Sequence, residues 1–67
     1  RQAGYAGSDR QARGAVLQAL RTCPEGALPL AQVAPDWPNA AQRERAIASL
    51  VADGLVTVTG TELHLPA

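Results

Sequence analysis

The stretch Asn39–Leu65, NAAQRERAIASLVADGLVTVTGTELHL, decides the fold, because two different periodicities meet in it without a linker. Over its first half Ile47, Leu50 and Val51 recur at i, i+3 and i+4. Ala40, Ala46 and Gly54–Leu55 carry that stripe one turn either way, the pattern of a helix with one buried face. Asn39 stands where an N-cap belongs, with Gln42 at the N3 position of a capping box, and Gly54 is placed to end the helix. Over the second half, side-chain parity sets a register. A type II′ turn at Gly60-Thr61, with glycine at its first central position, puts Val58 opposite Leu63 and Val56 opposite Leu65, with all four apolar side chains on one face. Thr57, Thr59, Glu62 and His64 then fall on the other face.

A helix closed by a small hairpin is the second half of a winged helix-turn-helix, so the residues before Asn39 must supply the first half. Ser8 reads as an N-cap with Gln11 at N3, and a helix follows from Asp9 to about Thr22. Ala12, Val16, Leu17, Leu20 and, at the end, Cys23 share one side of it, and Pro24 stops it. Gly14 lies inside this helix at a cost of about 1 kcal/mol relative to alanine. It is there either by simple tolerance or because another backbone, from the third predicted helix or a neighbouring domain, packs close.

Glu25-Gly26 reads as a turn, and Ala27-Leu28 is placed to give a short first strand. Pro29 suits the first turn of a second helix, with Leu30, Val33 and later Trp37 pointing inward, and Pro35 breaks that helix early. Asp36-Trp37-Pro38 then makes a tight turn before Asn39. The predicted order is helix, short strand, helix, helix, strand, strand. That is an α+β winged helix-turn-helix over residues 8–67, preceded by a flexible lead-in or linker, RQAGYAG, at residues 1–7.

Sixty-seven residues make one small domain, burying about 60% of the surface its unfolded chain exposes. With no Phe or Met and one Trp, the core must come from Leu, Val, Ile and Trp37, and the expected stability is about 3–5 kcal/mol. Six arginines balance six acidic residues and there is no lysine; a net charge of zero argues against strong autonomous binding to nucleic acid. A single cysteine forms no internal disulfide, and Cys23 with His64 is too little for a metal site. One His and one Cys at these positions also make no nucleophile–base arrangement, so the chain is not expected to be an enzyme in its own right. No apolar run reaches membrane-spanning length and no signal peptide is visible, so a cytoplasmic monomer with no membrane partner is expected. The start at Arg1 without Met suggests a piece of a longer protein.

Two runs are more specific than composition or periodicity. YAGSDRQARG at Tyr5–Gly14, and DWPNAAQRERAIASLVADGLV at Asp36–Val56 with a short hairpin ending in LHLP, resemble the C-terminal end of A/G-specific adenine DNA glycosylases, the MutY family, of the actinobacterial type. The resemblance spans about Tyr5 to Pro66. It implies a parent enzyme that removes adenine mispaired with guanine or 8-oxoguanine to start base excision repair, acting at the nucleoid. It also implies, upstream of Arg1, a helix-hairpin-helix catalytic domain and a four-cysteine [4Fe–4S] cluster; Cys23 is not carried over as a ligand of it. Many family members add a larger, Nudix-like C-terminal domain that inspects the oxidised guanine, and this chain is too short for that.

The candidate contact residues are Arg10, Arg13, Gln42 and Arg45. With Ile47, Leu50 and Val51 inward, Gln42, Arg45, Ser49 and Ala52 fall on the outer side of the third predicted helix, where Gln42 and Arg45 can reach phosphates or base edges. Against that stand Glu44, which offsets one arginine, and Ala48 and Ala52, which present little to a groove; a solvated face is the competing reading. Arg10 and Arg13 begin the first helix beside the linker, placed to dock an upstream catalytic domain, touch a phosphate backbone, or face solvent. Trp37 reads as core between two amphipathic helices rather than as a stacking platform. Tyr5 is placed to pack on an upstream domain. His64 pairs with Glu62 at the surface or touches DNA from the wing, and Cys23 reads as a small helix-end hydrophobe. Two functions stay open: an accessory, noncatalytic module of a repair glycosylase whose partners are its own catalytic domain and, weakly, double-stranded DNA, or a free-standing winged-helix regulator or protein-interaction module.

Overall fold

A computed structural model describes residues 8–66 of the chain. The lead-in expected at residues 1–7, with Tyr5, lies outside the described residues, as does Ala67. In order come α1 (Asp9–Arg21), β1 (Ala27–Pro29), a single 3-10 turn (Leu30–Gln32), α2 (Ala40–Ala52), β2 (Thr57–Thr59) and β3 (Glu62–His64). The result is a small α+β fold compatible with a winged helix. It has two α-helices rather than three.

Both α-helices begin where their caps predict. The Ser8 hydroxyl accepts from the Gln11 N–H at 3.2 Å while the Gln11 side chain accepts from the Ser8 N–H at 2.9 Å, closing the box. At α2 the Asn39 side chain accepts from the Gln42 N–H at 3.0 Å, but the Gln42 side chain turns inward instead of completing a second box. Gly54, at φ +75°, ends α2 as expected.

The missing helix has a local cause. Its N-terminal limit is Pro29, an extended residue in β1, and its C-terminal limit is Ala34, which precedes Pro35 and is thereby steered away from the right-handed region. Four residues remain, enough for one 3-10 turn. Ala34 itself takes φ +49°, a left-handed conformation that costs an alanine about 1 kcal/mol. Val33 is nevertheless fully buried, and Leu30 and Trp37 pack half-buried on the core, so the inward residues were read correctly though their helix is absent.

The sheet is antiparallel with order β1-β3-β2, the C-terminal strand lying between the other two. Val58 opposes Leu63 and Thr57 opposes His64, the register that parity predicts, and Gly60 at φ +60° makes the turn. On the other side Leu28 opposes Leu63, which confirms the short first strand. Leu65 N–H bonds Gly26 O and Leu30 N–H bonds Thr61 O, both at 2.8 Å, so the odd residues of β3 point their backbone groups at β1. By alternation Pro29 sits where its missing N–H would have faced away from the sheet, a position that tolerates proline on an edge strand.

The core is Ala12, Val16 and Leu20 from α1, Val33, Ala46, Ile47 and Leu50 from α2 and its approach, and Val56 and Leu63 from the hairpin. The buried line of α2 therefore runs Gln42, Ala46, Ile47, Leu50. Val51, expected inside, is 40% exposed, and Leu55 is 44% exposed. The helix is rotated from the predicted face because Gln42, a polar residue, is accommodated inside by hydrogen bonds that apolarity alone does not register. Adding a Cβ at Gly14 would meet nothing within 4 Å, so within the described residues no backbone packs close there.

Candidate functional site

The polar groups that distinguish this domain gather where α1 and α2 face each other. From α1, Arg13 reaches across to α2, donating from Nη1 to the Ser49 hydroxyl and from Nη2 to Asp53 Oδ2 at 2.8 Å. One turn earlier, Asp9 accepts from Gln42 Nε2 at 3.0 Å and lies 3.7 Å from Arg45 Nη2. Asp9, Arg13, Arg45, Ala46 and Ser49 thus line one small cleft between the helices. Gln42 also accepts from Trp37 Nε1 at 2.8 Å, joining the tryptophan to the same network. Trp37 is half-buried with its polar tip bonded, which fits a core residue and not an open stacking platform.

The four predicted contact residues therefore separate. Gln42 was expected on the outer side of its helix, and this is corrected: it is 9% exposed and faces α1, because Trp37 and Asp9 satisfy its amide there. Ser49, placed on the same outer side, is half-buried against Arg13. Arg13 is held to α2. Arg45 and Arg10 remain exposed, Arg45 with a side chain 63% open to solvent and a long contact to Asp9. The structure brings Arg13 and Arg45 to one interhelical cleft, buries Gln42 beside it against Asp9, and leaves Arg10 on the outside of α1.

Sequence reasoning missed Arg43. Its side chain is 13% exposed and its guanidinium donates from Nε to Val33 O at 2.7 Å and from Nη2 to Leu30 O, with Nη1 on Glu44 Oε2 at 2.8 Å. These carbonyls belong to the turn that replaces the predicted second helix: Leu30 O also accepts the Val33 N–H within the 3-10 turn, and Val33 O lies past its end, where a helix leaves its carbonyls without partners. The signal available in advance was Pro35, whose shortening of that helix leaves a carbonyl at Val33 needing a donor from elsewhere.

On the hairpin, His64 Nε2 lies 2.8 Å from the Thr59 hydroxyl, so its partner is this threonine instead of the expected Glu62. The two share the outer face, as parity predicts, and form an exposed cross-strand pair. No Arg or Lys follows Arg45 in the chain, and the wing offers threonines, Glu62 and His64 to solvent. Cys23 donates from Sγ to Ala27 O at 3.1 Å and to Glu25 Oε1 at 3.4 Å, a thiol used as a turn brace. With a single cysteine, the chain does not fit a four-cysteine cluster. Among the described residues, no group of three His, Cys, Asp or Glu is arranged to hold a metal ion, and no helix is long and apolar enough to cross a membrane.

The chain is similar to the adenine DNA glycosylase of Mycobacterium tuberculosis, in strains CDC 1551 and H37Rv alike: 46% of 56 residues are identical, covering 82% of this chain and 18% of each relative. It is thus related to adenine DNA glycosylases, and it spans about a fifth of the length of the curated relatives it matches. No family model matches it. No solved structure does either.

Proposed function

We propose that this chain is a noncatalytic module of an adenine DNA glycosylase of base excision repair, one that excises adenine opposite guanine or 8-oxoguanine. On this reading residues 8–67 form the module, joined through residues 1–7 to a catalytic domain that carries the [4Fe–4S] cluster. The module's work is to pack on the rest of the enzyme, with a minor contribution to DNA binding. The relationship to the mycobacterial glycosylases supports the parent activity.

One observation supports the non-reading role: two of the guanidiniums that the helices could offer to DNA are committed within the fold. Arg43 serves the backbone of the 3-10 turn and Arg13 serves α2. Of the candidate contact residues Arg10 and Arg45 stay exposed for phosphate contact, Arg21 is exposed at the far end of α1, and the wing adds no Arg or Lys. A free-standing regulator would need a basic face that the described residues do not assemble.

The test is made in the longer glycosylase that carries this chain. Its affinity for duplex with adenine opposite 8-oxoguanine is measured against salt, with and without Arg10→Ala plus Arg45→Ala, alongside its melting temperature with and without the module. Two lost phosphate contacts would reduce the slope of log K against log salt by about 1.8 at most, and the proposal expects less than that. It expects deletion of the module to lower the melting temperature of the remainder. A larger loss of slope, with a melting temperature that does not move, would make the module a DNA reader and refute the packing role.

A further inference from the structure

A helix-turn-helix protein reads DNA with the outward face of its second helix, which in this fold is α2. Helical spacing puts Ala41, Glu44, Ala48, Val51 and Ala52 on that face, and all five are exposed. No Arg or Lys belongs to it. Arg43 turns inward to Val33 O, and Arg45 turns to Asp9 at the cleft. The charged residue that remains, Glu44, has the same sign as a phosphate backbone.

Leu55 extends this face beyond the end of the helix. Gly54 N–H bonds Val51 O at 3.0 Å and Leu55 N–H bonds Leu50 O at 2.9 Å, the paired closing bonds of a Schellman motif. With Gly54 in the left-handed region, they fix the Leu55 backbone against the last turn, yet its side chain stays out of the core. Val51, Leu55 and Val58 are the large hydrophobics left exposed among the described residues. A single exposed aliphatic is ordinary; two held in place on a face without cations mark a surface for protein.

Building on the function proposed above, we infer that Val51 and Leu55, on the outward face of α2, dock the module onto the catalytic domain of its own polypeptide. Size favours that occupant over a separate protein or a second copy. Val51 and Leu55, each already more than half buried, offer with the alanine methyls well under the roughly 800 Å² per partner of a standard complex. A domain on the same chain needs less, because a short tether holds it at an effective concentration of about a millimolar. The curated relatives extend far beyond the matched segment, which is 18% of each, so on this reading a partner domain is at hand. The reach also suffices. Residues 1–7, leading from that domain into Ser8, span at most about 25 Å. Asp9 lies against Gln42 and Arg45 in the first half of α2, and α2 is about 20 Å long, so its outward face falls within that span.

The melting temperature of the longer glycosylase that carries this chain tests this. Val51→Arg plus Leu55→Arg puts two charges on the face and should remove at least half of the rise in melting temperature that the module gives the remainder. Ala48→Gln keeps a good helix former and only lengthens the side chain, and it should remove a smaller part. Gln18→Arg plus Gln32→Arg adds the same charge at exposed positions on other elements and should remove none of it. Exchange of the α1 amides shows whether each variant keeps the module folded; if the double arginine variant unfolds it, Ala48→Gln decides. A melting temperature that falls on deletion of the module, but that neither face variant moves, overturns this docking face and leaves the packing role standing. One that deletion does not move removes the packing role and the face together. An enzyme mass that halves with Val51→Arg plus Leu55→Arg would put a second copy on the face, which also overturns the inference.

Discussion

Arg43 and Arg45 stand two residues apart on α2, yet they serve opposite regions of the molecule. Arg43 lies against the inner rim, where one planar guanidinium reaches both Val33 O and Leu30 O, the second of which already accepts the Val33 N–H of the 3-10 turn. Arg45 lies on the cleft side of the same helix, largely in water, with a single ion contact at 3.7 Å. A residue type that looks like DNA chemistry in sequence is therefore, at one position, a substitute for missing backbone structure and, at the other, a loosely held surface charge. The difference lies in what the neighbouring backbone lacks.

Arg43→Ala should separate the two regions most strongly. It strips the Leu30 and Val33 carbonyls of a charged donor and should cost about 2–3 kcal/mol, a large part of what so small a domain has, read as a lower urea midpoint. Arg43→Lys should recover little, since an ammonium cannot span both acceptors as the fork does. Gln42→Ala comes next. It leaves the Trp37 indole N–H without the Gln42 acceptor and opens the polar junction at Asp9, for a loss of about 1–2 kcal/mol and a red-shifted tryptophan emission.

The outer positions should respond less. Gly14→Ala, on the open side of α1, should raise stability by about 0.5–1 kcal/mol, because the added methyl meets nothing and the unfolded chain loses freedom. A loss of stability there would mean that the outside of α1 is not open in solution. Arg45→Ala should change the urea midpoint by the equivalent of about 0.5 kcal/mol or less, as a surface ion pair does. If Arg45→Ala proved as costly as Arg43→Ala, the contrast between the two regions would collapse.

The hairpin and both helix starts were legible in the sequence because each is written in local chemistry: an N-cap with its N3 partner at Ser8 and at Asn39, a glycine for the turn at Gly60, and two-residue parity from Val56 to Leu65. The short first strand followed from the same logic. The second helix was misread because Pro29 and Pro35 admit two interpretations, a helix that starts late and stops early or no helix at all, and only tertiary donors decide between them. The inward face of α2 was misread for a related reason. Periodicity counts apolar residues, whereas Gln42 is inside on the strength of partners 5 and 33 residues away in the chain. Of the predicted contact residues, the sequence could place Arg10 and Arg45 at the surface but could not foresee that Arg13 would clasp the opposite helix at Ser49 and Asp53.

Leu30 is gripped at both of its peptide groups, its N–H by Thr61 at the tip of the hairpin and its C=O by Arg43 on α2. One residue thereby couples the ribbon to the helix. Peeling the strands away must loosen the helix's hold on the turn, and freeing the turn must slacken the ribbon. In a chain of this size such coupling favours all-or-none melting over piecemeal fraying. The Leu30 amide should accordingly exchange with solvent only at the rate of whole-domain opening.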